Sequence, residues 1–538
     1  MLNDTQLMKA ASSLRQRSES RQEERKIVQT FVDVGILAQL FNQNHQIVYG
    51  RRGTGKTHVL QVLANLFREN RNNTVVYIDG RTLGSTSQFS DSSVTLTHRC
   101  TSLFRDLLNE VYNAVLDHII NEPCDKADVA LSNLDELGRV ATEPFRTATE
   151  EVVTGKEKGQ TQQQTTFDAS IGPPKAFQLG AHLGGLEISE TERTVTYRVA
   201  TEDKVIFPAV HSSLKKTLEN AKTTLIILFD EWSSLPQDIQ PYLAEFLKRG
   251  FAPNPYVVLK MASLEYRSKF RLQSEAKIIG FEIGSDISTT LDLDDYYVFD
   301  RNPEKITAVF AEILFRHITS ELPEQYLSST YGIESPENLI SQLFTSSSTF
   351  RELTRASEGV ARDFINIFTA AYFDSHRRGR KNIEIKSIFE AARQWFEKDK
   401  AQNLDDNLRT VLARIVDKVI GKRHARAFLI PRELEKHPVV QSLFDSRVLH
   451  LLQRGYADKD NPGRRYNIYT LDYGTYVDLI NTSKQPLFEV SVPISGSASE
   501  QGRLEMMGTD DDTASTLVPL DDKRSIRRIV LTEAELKI

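Results

Sequence analysis

Hydrophobic and polar residues follow two different periods along this 538-residue chain. Short runs of consecutive apolar residues are typical of strands buried on both faces of a parallel sheet, and apolar residues at three- and four-residue spacing are typical of amphipathic helices. The predicted strands contain Ile47-Val48, Thr74–Asp79, Leu225–Phe229 and Pro255–Ala262. From Pro303 to about Lys398 the spacing is helical throughout. The pattern predicts an α/β fold with a parallel sheet, followed by an α-helical region.

A glycine-rich loop follows the first predicted strand. Residues 50–57 read Gly-Arg-Arg-Gly-Thr-Gly-Lys-Thr, the G-x-x-x-x-G-K-T form of a phosphate-binding P-loop, and a helical pattern follows them. Backbone N–H groups of such a loop point at phosphate oxygens, and the next helix adds the positive end of its dipole. Lys56 is predicted to reach the β- and γ-phosphates, and Thr57 to bind Mg²⁺. The predicted nucleotide-binding residues of the loop are Gly50, Arg51, Arg52, Gly53, Thr54, Gly55, Lys56 and Thr57.

Two carboxylates follow the strand Leu225–Phe229, in the pattern of a Walker B element. Asp230 is predicted to bind nucleotide and to hold Mg²⁺ together with Thr57, and Glu231 to orient the water that attacks the γ-phosphate. The alternative is that the two carboxylates cap the helix predicted from Gln237 onward.

The strand Pro255–Ala262 ends at a small polar residue, Ser263. A glutamate directly after the Walker B aspartate indicates the ATPase branch of P-loop proteins, in which an extra strand lies between the P-loop strand and the Walker B strand. Pro255–Ala262 is predicted to be that strand, and Ser263 to sense the γ-phosphate. The alternative for Ser263 is a strand-end hydroxyl without a role in nucleotide binding.

These motifs resemble those of the AAA+ ATPases, and among them the initiators of the origin-recognition and cell-division-control (ORC/CDC) type. The resemblance covers roughly residues 25–480 and extends to Gly359-Val-Ala-Arg362, which matches the Gly-x-x-Arg form of the sensor 2 helix in that family. It implies that Arg362 folds over the nucleotide from a helical lid. A surface arginine on an amphipathic helix is the alternative.

The resemblance also implies an arginine finger, an arginine that completes the nucleotide site of a neighbouring subunit. The candidates are Arg267 and Arg271, which lie between Ser263 and a predicted strand at Ile278–Ile283. Each can equally be an ordinary solvated arginine.

The pattern and the resemblance together divide the chain into five parts. These are a flexible lead-in at 1–24, an AAA+ core at 25–300 with an insertion at about 121–205, an α-helical lid at 301–400, a winged helix at 401–480, and a linker and tail at 481–538. The insertion contains a glutamine-rich run at Gly155–Gln164 and an alternating segment at Thr194–Val199 that favours a hairpin. The tail regains strand character near Ile529–Leu531, which is predicted to pair with the sheet edge of a neighbour.

Residues 401–480 carry the element order of a winged helix. A helix from Leu404 to Val419, a strand at Ala427–Ile430, helices at Arg432–Lys436 and Val439–Leu452, and a hairpin turning at residues 461–463 are predicted. Such a domain can place its third helix in a DNA groove. Thirteen basic and ten acidic residues leave a charge of only +3, so contact with a protein, or packing on its own ATPase core, is the alternative.

Composition adds limits to this picture. The net charge of −6 does not indicate nucleic acid, so any such surface must be local. The two cysteines, Cys100 and Cys124, have no metal-type spacing and fit a reducing compartment. The strongest apolar run, Leu225–Phe229, is too short for a bilayer, so a cytoplasmic location without membrane contact is predicted.

The first functional hypothesis is a switch of the initiator type that binds and hydrolyses ATP with Mg²⁺, forms homo-oligomers, and acts on duplex DNA through the winged helix. The second is a signalling or scaffold ATPase, as in bacterial antiviral defence assemblies, that gates an effector protein bound through the insertion or the tail. A motor with a pore is less compatible with the chain, because the sequence shows neither a second core nor a recognisable pore motif.

Overall fold

The fold was analysed in a computed structural model, which describes residues 1–14, 24–84, 91, 93–142, 145–152, 195–202, 205–274, 277–457, 463–477 and 529–537. Within these ranges, no helix has the length and apolar character needed to cross a bilayer.

The centre of the predicted ATPase core is a parallel sheet of five strands. Their bounds are β1 (Gln46–Tyr49), β2 (Asn73–Asp79), β5 (Thr224–Asp230), β6 (Val257–Ser263) and β9 (Thr289–Asp292). The spatial order is β2-β5-β6-β1-β9. The predicted α/β class and the extra strand β6, between the P-loop strand β1 and the Walker B strand β5, are confirmed. The register pairs Tyr49 with Ser263 and Asp79 with Asp230, so the ends of β1, β2, β5 and β6 meet at one edge.

Helices cover both faces of this sheet. Those of the core are α2 (Glu24–Thr30), α3 (Leu37–Leu40), α4 (Lys56–Arg68), α5 (Leu96–Asn121), α6 (Ala127–Thr142), α7 (Phe207–Ala221) and α8 (Gln240–Gly250). Alternate residues of β5 point to opposite faces. Ile226 and Leu228 pack in the core that holds α4 and the lid, whereas Ile227 and Phe229 pack in the core that holds α5, α7 and α8.

The insertion contains a helix and a hairpin. Ala130, Leu134 and Leu137 of α6 pack in the same core as α5 and α7, so this part of the insertion belongs to the folded ATPase core. The predicted hairpin is confirmed as β3 (Phe145–Val152) paired antiparallel with β4 (Val195–Glu202). The glutamine-rich run at Gly155–Gln164 lies outside the described residues.

The region after β6 differs from the prediction. The strand expected at Ile278–Ile283 is a shorter β8 (Lys277–Gly280), which pairs antiparallel with β7 (Arg271–Ser274) outside the central sheet. The fifth strand of the sheet, β9, was not predicted. It is a short polar strand whose first two residues are exposed, so it lacks the apolar run that marks the other four.

The lid is helical, as predicted. Its helices are α9 (Asp294–Tyr297), α10 (Pro303–Ser320), α11 (Tyr326–Tyr331), α12 (Pro336–Leu343), α13 (Ser347–Ala356), α14 (Ala361–Arg377) and α15 (Ile385–Trp395). A π-helical turn, Phe396–Lys400, follows α15. This turn leads into the domain that ends the chain.

The first residues of the chain are a folded part of the lid, so the predicted flexible lead-in is wrong for residues 1–14. They contain α1 (Thr5–Ser13), and Leu2 and Leu7 are buried in the core shared with the lid. The Asp4 carboxylate caps this helix and accepts hydrogen bonds from Tyr326 Oη at 2.8 Å and Tyr331 Oη at 2.6 Å. The segment is mostly polar, so the narrow apolar face of α1 is not apparent from its composition. Residues 15–23 lie outside the described ranges.

We use the name C-terminal domain for residues 401–477 and 529–537. Its elements are α16 (Asp406–Val416), a π-helical turn at Asp417–Gly421, β10 (Ala427–Pro431), α17 (Pro438–Asp445), β11 (Leu449–Ala457), β12 (Arg465–Leu471) and α18 (Glu533–Leu536). The strands form an antiparallel sheet in the order β10-β12-β11.

Two predicted helices of this domain are wrong in their extent. Arg432–Lys436 contains only a 3-10 turn at Arg432–Leu434. The third helix, expected to run to Leu452, ends at Asp445, and Arg447 in the left-handed region (φ 59°) turns the chain into β11. A short apolar run such as Leu449–Leu452 fits a strand as well as a helix, so its spacing does not show which of the two forms. Residues 461 and 462 of the predicted turn lie outside the described ranges.

The tail residues 529–531 pack along β10 of the same chain. The backbone N–H of Leu429 in β10 donates to the Ile529 carbonyl at 2.8 Å, and the N–H of Leu531 donates to the Leu429 carbonyl at 2.9 Å. The predicted strand at Ile529–Leu531 is reduced to an isolated bridge between Val530 and Leu429, and the sheet edge that it meets belongs to the same chain. The predicted linker at 481–520 lies outside the described residues.

Candidate nucleotide site

The P-loop lies between β1 and α4 with the conformation that its glycines allow. Gly53 and Gly55 have φ angles of 87° and 98°, which glycine adopts without steric cost. α4 begins at Lys56, so the loop lies at the amino end of a 13-residue helix. Backbone N–H groups and the helix dipole therefore face the position of an anion. The Thr54 hydroxyl donates to the Arg51 carbonyl at 2.9 Å and stabilises the curl of the loop.

The lysine of the loop is buried within it. Lys56 Nζ donates to the Gly50 carbonyl at 2.8 Å and to the Arg51 carbonyl at 2.9 Å. Burial lowers the pKa of Lys56, whereas the charges of Glu231 and Asp230 raise it. The ammonium group is thus held among the loop carbonyls and the Walker B carboxylates, where phosphate oxygens can replace the carbonyls as acceptors.

The Walker B aspartate is held in a single orientation. Asp230 is 1% exposed and accepts hydrogen bonds from Tyr77 Oη at 2.7 Å and from the Glu231 N–H at 2.8 Å. Oxygen ligands on a rigid sheet edge suit Mg²⁺, which binds through one or two protein groups plus phosphates and waters. The hydroxyl of Thr57 at the start of α4 and the carboxylate of Asp230 fit that donor set.

The second carboxylate adopts a strained backbone. Glu231 has φ 52°, in the left-handed region that non-glycine residues rarely enter and that is enriched at functional sites. The alternative, capping of the next helix, is wrong: α8 begins at Gln240, and its N-terminal residue Ile239 provides no side-chain cap. Electrostatic interaction with Lys56 places Glu231 beside the P-loop.

Ser263 lies at the same sheet edge, next to Tyr49 of β1. Its side chain is fully buried, and its hydroxyl is hydrogen-bonded to the hydroxyl of Ser268. The position agrees with the predicted γ-phosphate sensor, and the role itself stays a prediction.

The lid contacts the P-loop through the predicted sensor 2 residue. The backbone N–H of Arg362, near the start of α14, donates to the Gly53 carbonyl at 3.1 Å. A Cβ atom added to Gly53 would lie 2.7 Å from Cβ of Arg362 and 3.1 Å from a methyl group of Val360. A glycine is required at residue 53 both for its φ angle and for this close approach. Arg362 also contributes to the electrostatic environment of Lys56.

The two arginines within the P-loop, Arg51 and Arg52, have side chains in different surroundings. The Arg51 side chain is buried and turns to the lid, with Nε 3.0 Å from Asp294 Oδ1 and Nη2 3.1 Å from the Glu358 carbonyl. It also hydrogen-bonds to Nδ1 of His450 in the C-terminal domain. These contacts engage the guanidinium group of Arg51 with the lid and the C-terminal domain, and the predicted role of Arg51 in nucleotide binding stays a prediction.

Arg52 belongs to a group of charges around the loop. Burial lowers the pKa of Arg52, as does the charge of Arg267, whereas Asp445 and Glu231 raise it. Its side chain therefore lies near both Glu231 of the Walker B element and Asp445 of the C-terminal domain.

One arginine-finger candidate is engaged within its own chain. Arg267 Nε lies 2.7 Å from Oδ2 of Asp445, the last residue of α17. Burial raises the pKa of Asp445, and the charges of Arg267, Arg52 and Lys56 act against that shift. Arg271 lies in β7. The finger itself stays a prediction for both residues.

The C-terminal domain packs directly on this side of the core. Tyr266 and Phe444 have ring centroids 5.0 Å apart in an edge-to-face contact. Arg454 of β11 bridges Glu265 at 2.5 Å, Asp292 at 3.2 Å and Glu435 at 2.9 Å. The helix α17, predicted to enter a DNA groove, therefore contacts the ATPase core in this conformation.

A buried ionic network joins the sensor 2 helix to the C-terminal domain. Asp363, next to Arg362, pairs with Arg447 and with Lys400 at 2.9 Å, and Lys400 also pairs with Asp472. Burial alone would raise the pKa of Asp472. The charge of Lys400 and the hydrogen bond from His450 lower this pKa to about 2.

His450 connects this network to the P-loop. Its Nε2 lies 2.9 Å from Asp472, and its Nδ1 meets Arg51. Burial lowers the pKa of His450 to about 3, and the charge of Arg51 contributes to the shift. The imidazole is therefore neutral at neutral pH and links the loop to Asp472 by hydrogen bonds on both ring nitrogens.

Sequence reasoning missed several residues of the site. Tyr77, Asp294, Asp445 and His450 carry no motif, and each comes from an element distant in sequence from the group it contacts. A signal existed only for Tyr77, since it lies in the predicted strand Thr74–Asp79, which pairs with the Walker B strand in the structure.

The comparisons with known proteins agree with the site. Residues 16–91, which include β1, the P-loop, α4 and β2, match the ORC-CDC6-like family model. The resemblance to ORC/CDC-type initiators that the sequence predicts is confirmed over this segment. Comparison with curated proteins gives no match.

Three solved structures illustrate the similarity of this chain to known folds. Cdc6p from Pyrobaculum aerophilum is 10% identical over 87% of this chain and 96% of that chain, with a TM-score of 0.33. The ORC2 protein of Aeropyrum pernix, in ADPNP-ADP complexes, is 11% identical over 89% and 97%, with a TM-score of 0.35. The RuvB Holliday junction branch migration motor of Thermotoga maritima is 9% identical over 85% and 94%, with a TM-score of 0.31. Because these TM-scores are low, the fold assignment rests on the strand order and on the family match.

Proposed function

We propose that this chain is an ATP-binding and ATP-hydrolysing switch of the AAA+ initiator type, in which the bound nucleotide changes how the lid and the C-terminal domain pack on the core. The observation that carries the proposal is the contact of Arg362 with Gly53, which joins the lid to the phosphate-binding loop. A change at the phosphates is thereby transmitted to a helix that also holds the C-terminal domain.

Each residue of the site has a defined part in this function. Lys56 exchanges its bonds to the loop carbonyls for bonds to the β- and γ-phosphates. Thr57 and Asp230 would hold Mg²⁺, which neutralises phosphate charge when bound. Glu231 orients and deprotonates the attacking water, and Arg362 stabilises the charge that develops on the γ-phosphate.

The ionic network supports the coupling between nucleotide and domain position. Asp363 follows Arg362 directly and is paired with Arg447 of the C-terminal domain. A movement of Arg362 towards phosphate therefore also moves the anchor of that domain. Asp445 adds a second connection, since its negative charge lies near Lys56 and will be repelled by a bound triphosphate.

Duplex DNA is the target that we propose first, in line with the match to the ORC-CDC6-like family. Lys422, Arg423, Arg464 and Arg465 are exposed basic residues of the C-terminal domain and can contact phosphates. Contact through α17 requires that this helix first leave the core, so we propose that DNA binding by α17 depends on the nucleotide state.

A second candidate is a scaffold ATPase that gates an effector protein. The packing of α17 on the core favours it, because the helix that a DNA-binding winged helix would present is already covered. In this case the nucleotide state exposes a protein-binding surface, and self-association in the ATP state builds the platform.

The experiment that tests the function is a mass measurement on full-length Glu231→Gln protein with ATP and Mg²⁺, with and without duplex DNA. The switch predicts that ATP produces a homo-oligomer and that the Lys56→Ala protein stays a monomer under the same conditions. Salt-dependent DNA binding that ATP enhances supports the DNA target. Oligomers that ignore DNA support the effector candidate, and ATP binding without any change in mass or domain packing contradicts the switch.

A further inference from the structure

The tail of the chain occupies a defined groove on the C-terminal domain. β10 is an edge strand, with β12 as its one neighbour in the described sheet. Residues 529–531 run parallel to β10 along its other side, with two backbone hydrogen bonds to Leu429 of 2.8 and 2.9 Å. The groove supplies main-chain pairing of the kind that captures extended peptides.

Side chains add specificity to this pairing. Leu531 and Leu536 are 0% exposed and Ile529 is 2% exposed, so three apolar residues of the tail are seated in the core of the domain. Lys418 on the π-helical turn after α16 donates to the Val530 carbonyl at 2.9 Å and pairs with the Glu535 carboxylate.

The tail also ends in an ordered cap. Thr532 and Glu535 form a capping box, with the Thr532 N–H donating to Glu535 Oε2 at 2.7 Å. Arg414 of α16 donates to the Lys537 carbonyl. The hydrogen bonds and charge around Glu535 lower its pKa to about 2, against the opposing effect of burial. The tail is thus held by backbone pairing at residues 529–531 and by the ion pair of Glu535 with Lys418, and its end is ordered by the capping box.

The connection of the tail to the domain is long. Residues 478–528 lie between the two, and about 50 residues can span at most roughly 170 Å. Every contact of the groove described above lies between residues 414–430 and the tail, so none of them depends on which copy of the chain supplies residues 529–537.

We propose that this groove is a docking site for the tail of a second copy of the chain, so that neighbouring copies are linked by exchanged C-terminal strands. Each copy carries one groove and one matching tail, so reciprocal exchange closes a pair without leaving a site empty. The tail of an isolated copy fills its own groove, because tethering makes that contact intramolecular. Copies held side by side offer one another the same contacts at a similar effective concentration.

The test uses two full-length variants in which each tail mismatches its own groove. Lys418→Glu reverses the charge of the groove and Glu535→Lys reverses that of the tail, and both side chains are partly exposed, 28% and 25%. Glu535→Lys also removes the capping box with Thr532, and it does so equally in the mixture and in the double-variant control. When the two proteins are mixed, each groove meets a tail of opposite charge on the other copy. Both variants also carry Lys56→Ala, so ATP-driven assembly cannot contribute and failure here is distinct from failure of the proposed switch.

The expected result is that the mixture at about 50 µM doubles in mass, while each variant alone stays at monomer mass. The matched control is the double variant Lys418→Glu/Glu535→Lys, in which the tail again fits its own groove and which should stay monomeric. Thermal unfolding of each protein verifies folding. A mixture of folded proteins that stays at monomer mass overturns the proposal.

Discussion

The N–H of Arg362 donates to the carbonyl of Gly53 across 3.1 Å, which joins the first turn of a lid helix to the phosphate-binding loop. The hydrogen bond uses only the backbone of Arg362, so its guanidinium group can be changed without breaking the contact between lid and loop. The side chain and the backbone can therefore be tested separately.

Arg362→Ala should lower the ATPase rate about 10- to 100-fold, because a charged hydrogen bond is worth roughly 1.5–3 kcal/mol. The lid should stay in place, since the bond to Gly53 is kept. Steady-state phosphate release measures the rate. Arg377→Ala at the far, exposed end of α14 is the matched control and should keep wild-type activity. An unchanged rate in Arg362→Ala would remove this residue from the site.

Lys56→Ala should abolish ATP binding, because it removes the one ammonium group that lies among the Gly50 and Arg51 carbonyls. Titration calorimetry with ATP and Mg²⁺ measures the affinity. Lys216→Ala, an exposed lysine on α7, is the control. Wild-type affinity in Lys56→Ala would contradict the P-loop assignment.

Glu231→Gln should bind ATP normally and hydrolyse it at least about 100-fold more slowly, as expected when a general base is lost. Single-turnover hydrolysis separates the chemical step from product release. The control is Glu219→Gln, which changes an exposed glutamate at the end of α7. If Glu231→Gln turns over like the wild type, another residue activates the water.

Asp445→Asn should raise ATP affinity about 2- to 10-fold, because it removes a negative charge near Lys56 and Arg52 while keeping the shape of the side chain. The gain should shrink at high salt, which screens the charge. Equilibrium binding of a fluorescent ATP analogue at two salt concentrations measures both effects. Asp417→Asn, on an exposed ion pair with Lys422, serves as the control. An unchanged or weakened affinity would show that Asp445 does not oppose the triphosphate.

Acidification should destabilise the protein through His450. Its pKa is about 3 in the folded state and about 6.5 when unfolded, so between these values only the unfolded chain binds the proton. Stability is therefore lost as the pH falls below 6.5, by about 2 kcal/mol from this residue at pH 5. Urea unfolding at pH 7 and pH 5 should show that His450→Gln loses about 2 kcal/mol less than the wild type. Equal losses would mean that His450 is not buried in its neutral form.

The sequence predicts the type of the core elements more accurately than the residues at which they begin and end. The strands β1, β2, β5 and β6 have continuous apolar runs, which a buried parallel strand requires, and all four form. The helix expected up to Leu452 ends at Asp445, because apolar runs of a few residues do not distinguish a helix from a strand. The sequence pattern does not predict α1, because the apolar face of this helix is narrow and is buried only by packing against the lid.

The sequence by itself predicted the nucleotide chemistry. Gly50–Thr57, Asp230 and Glu231 lie in short segments whose spacing sets the loop and the strand ends, so their roles are predicted without knowledge of the rest of the fold. Only the tertiary structure decided what surrounds that chemistry. Arg51 meets His450 across 399 residues of chain, and Arg267 meets Asp445 across 178. Such contacts depend on how domains pack, and no local period or spacing records that packing.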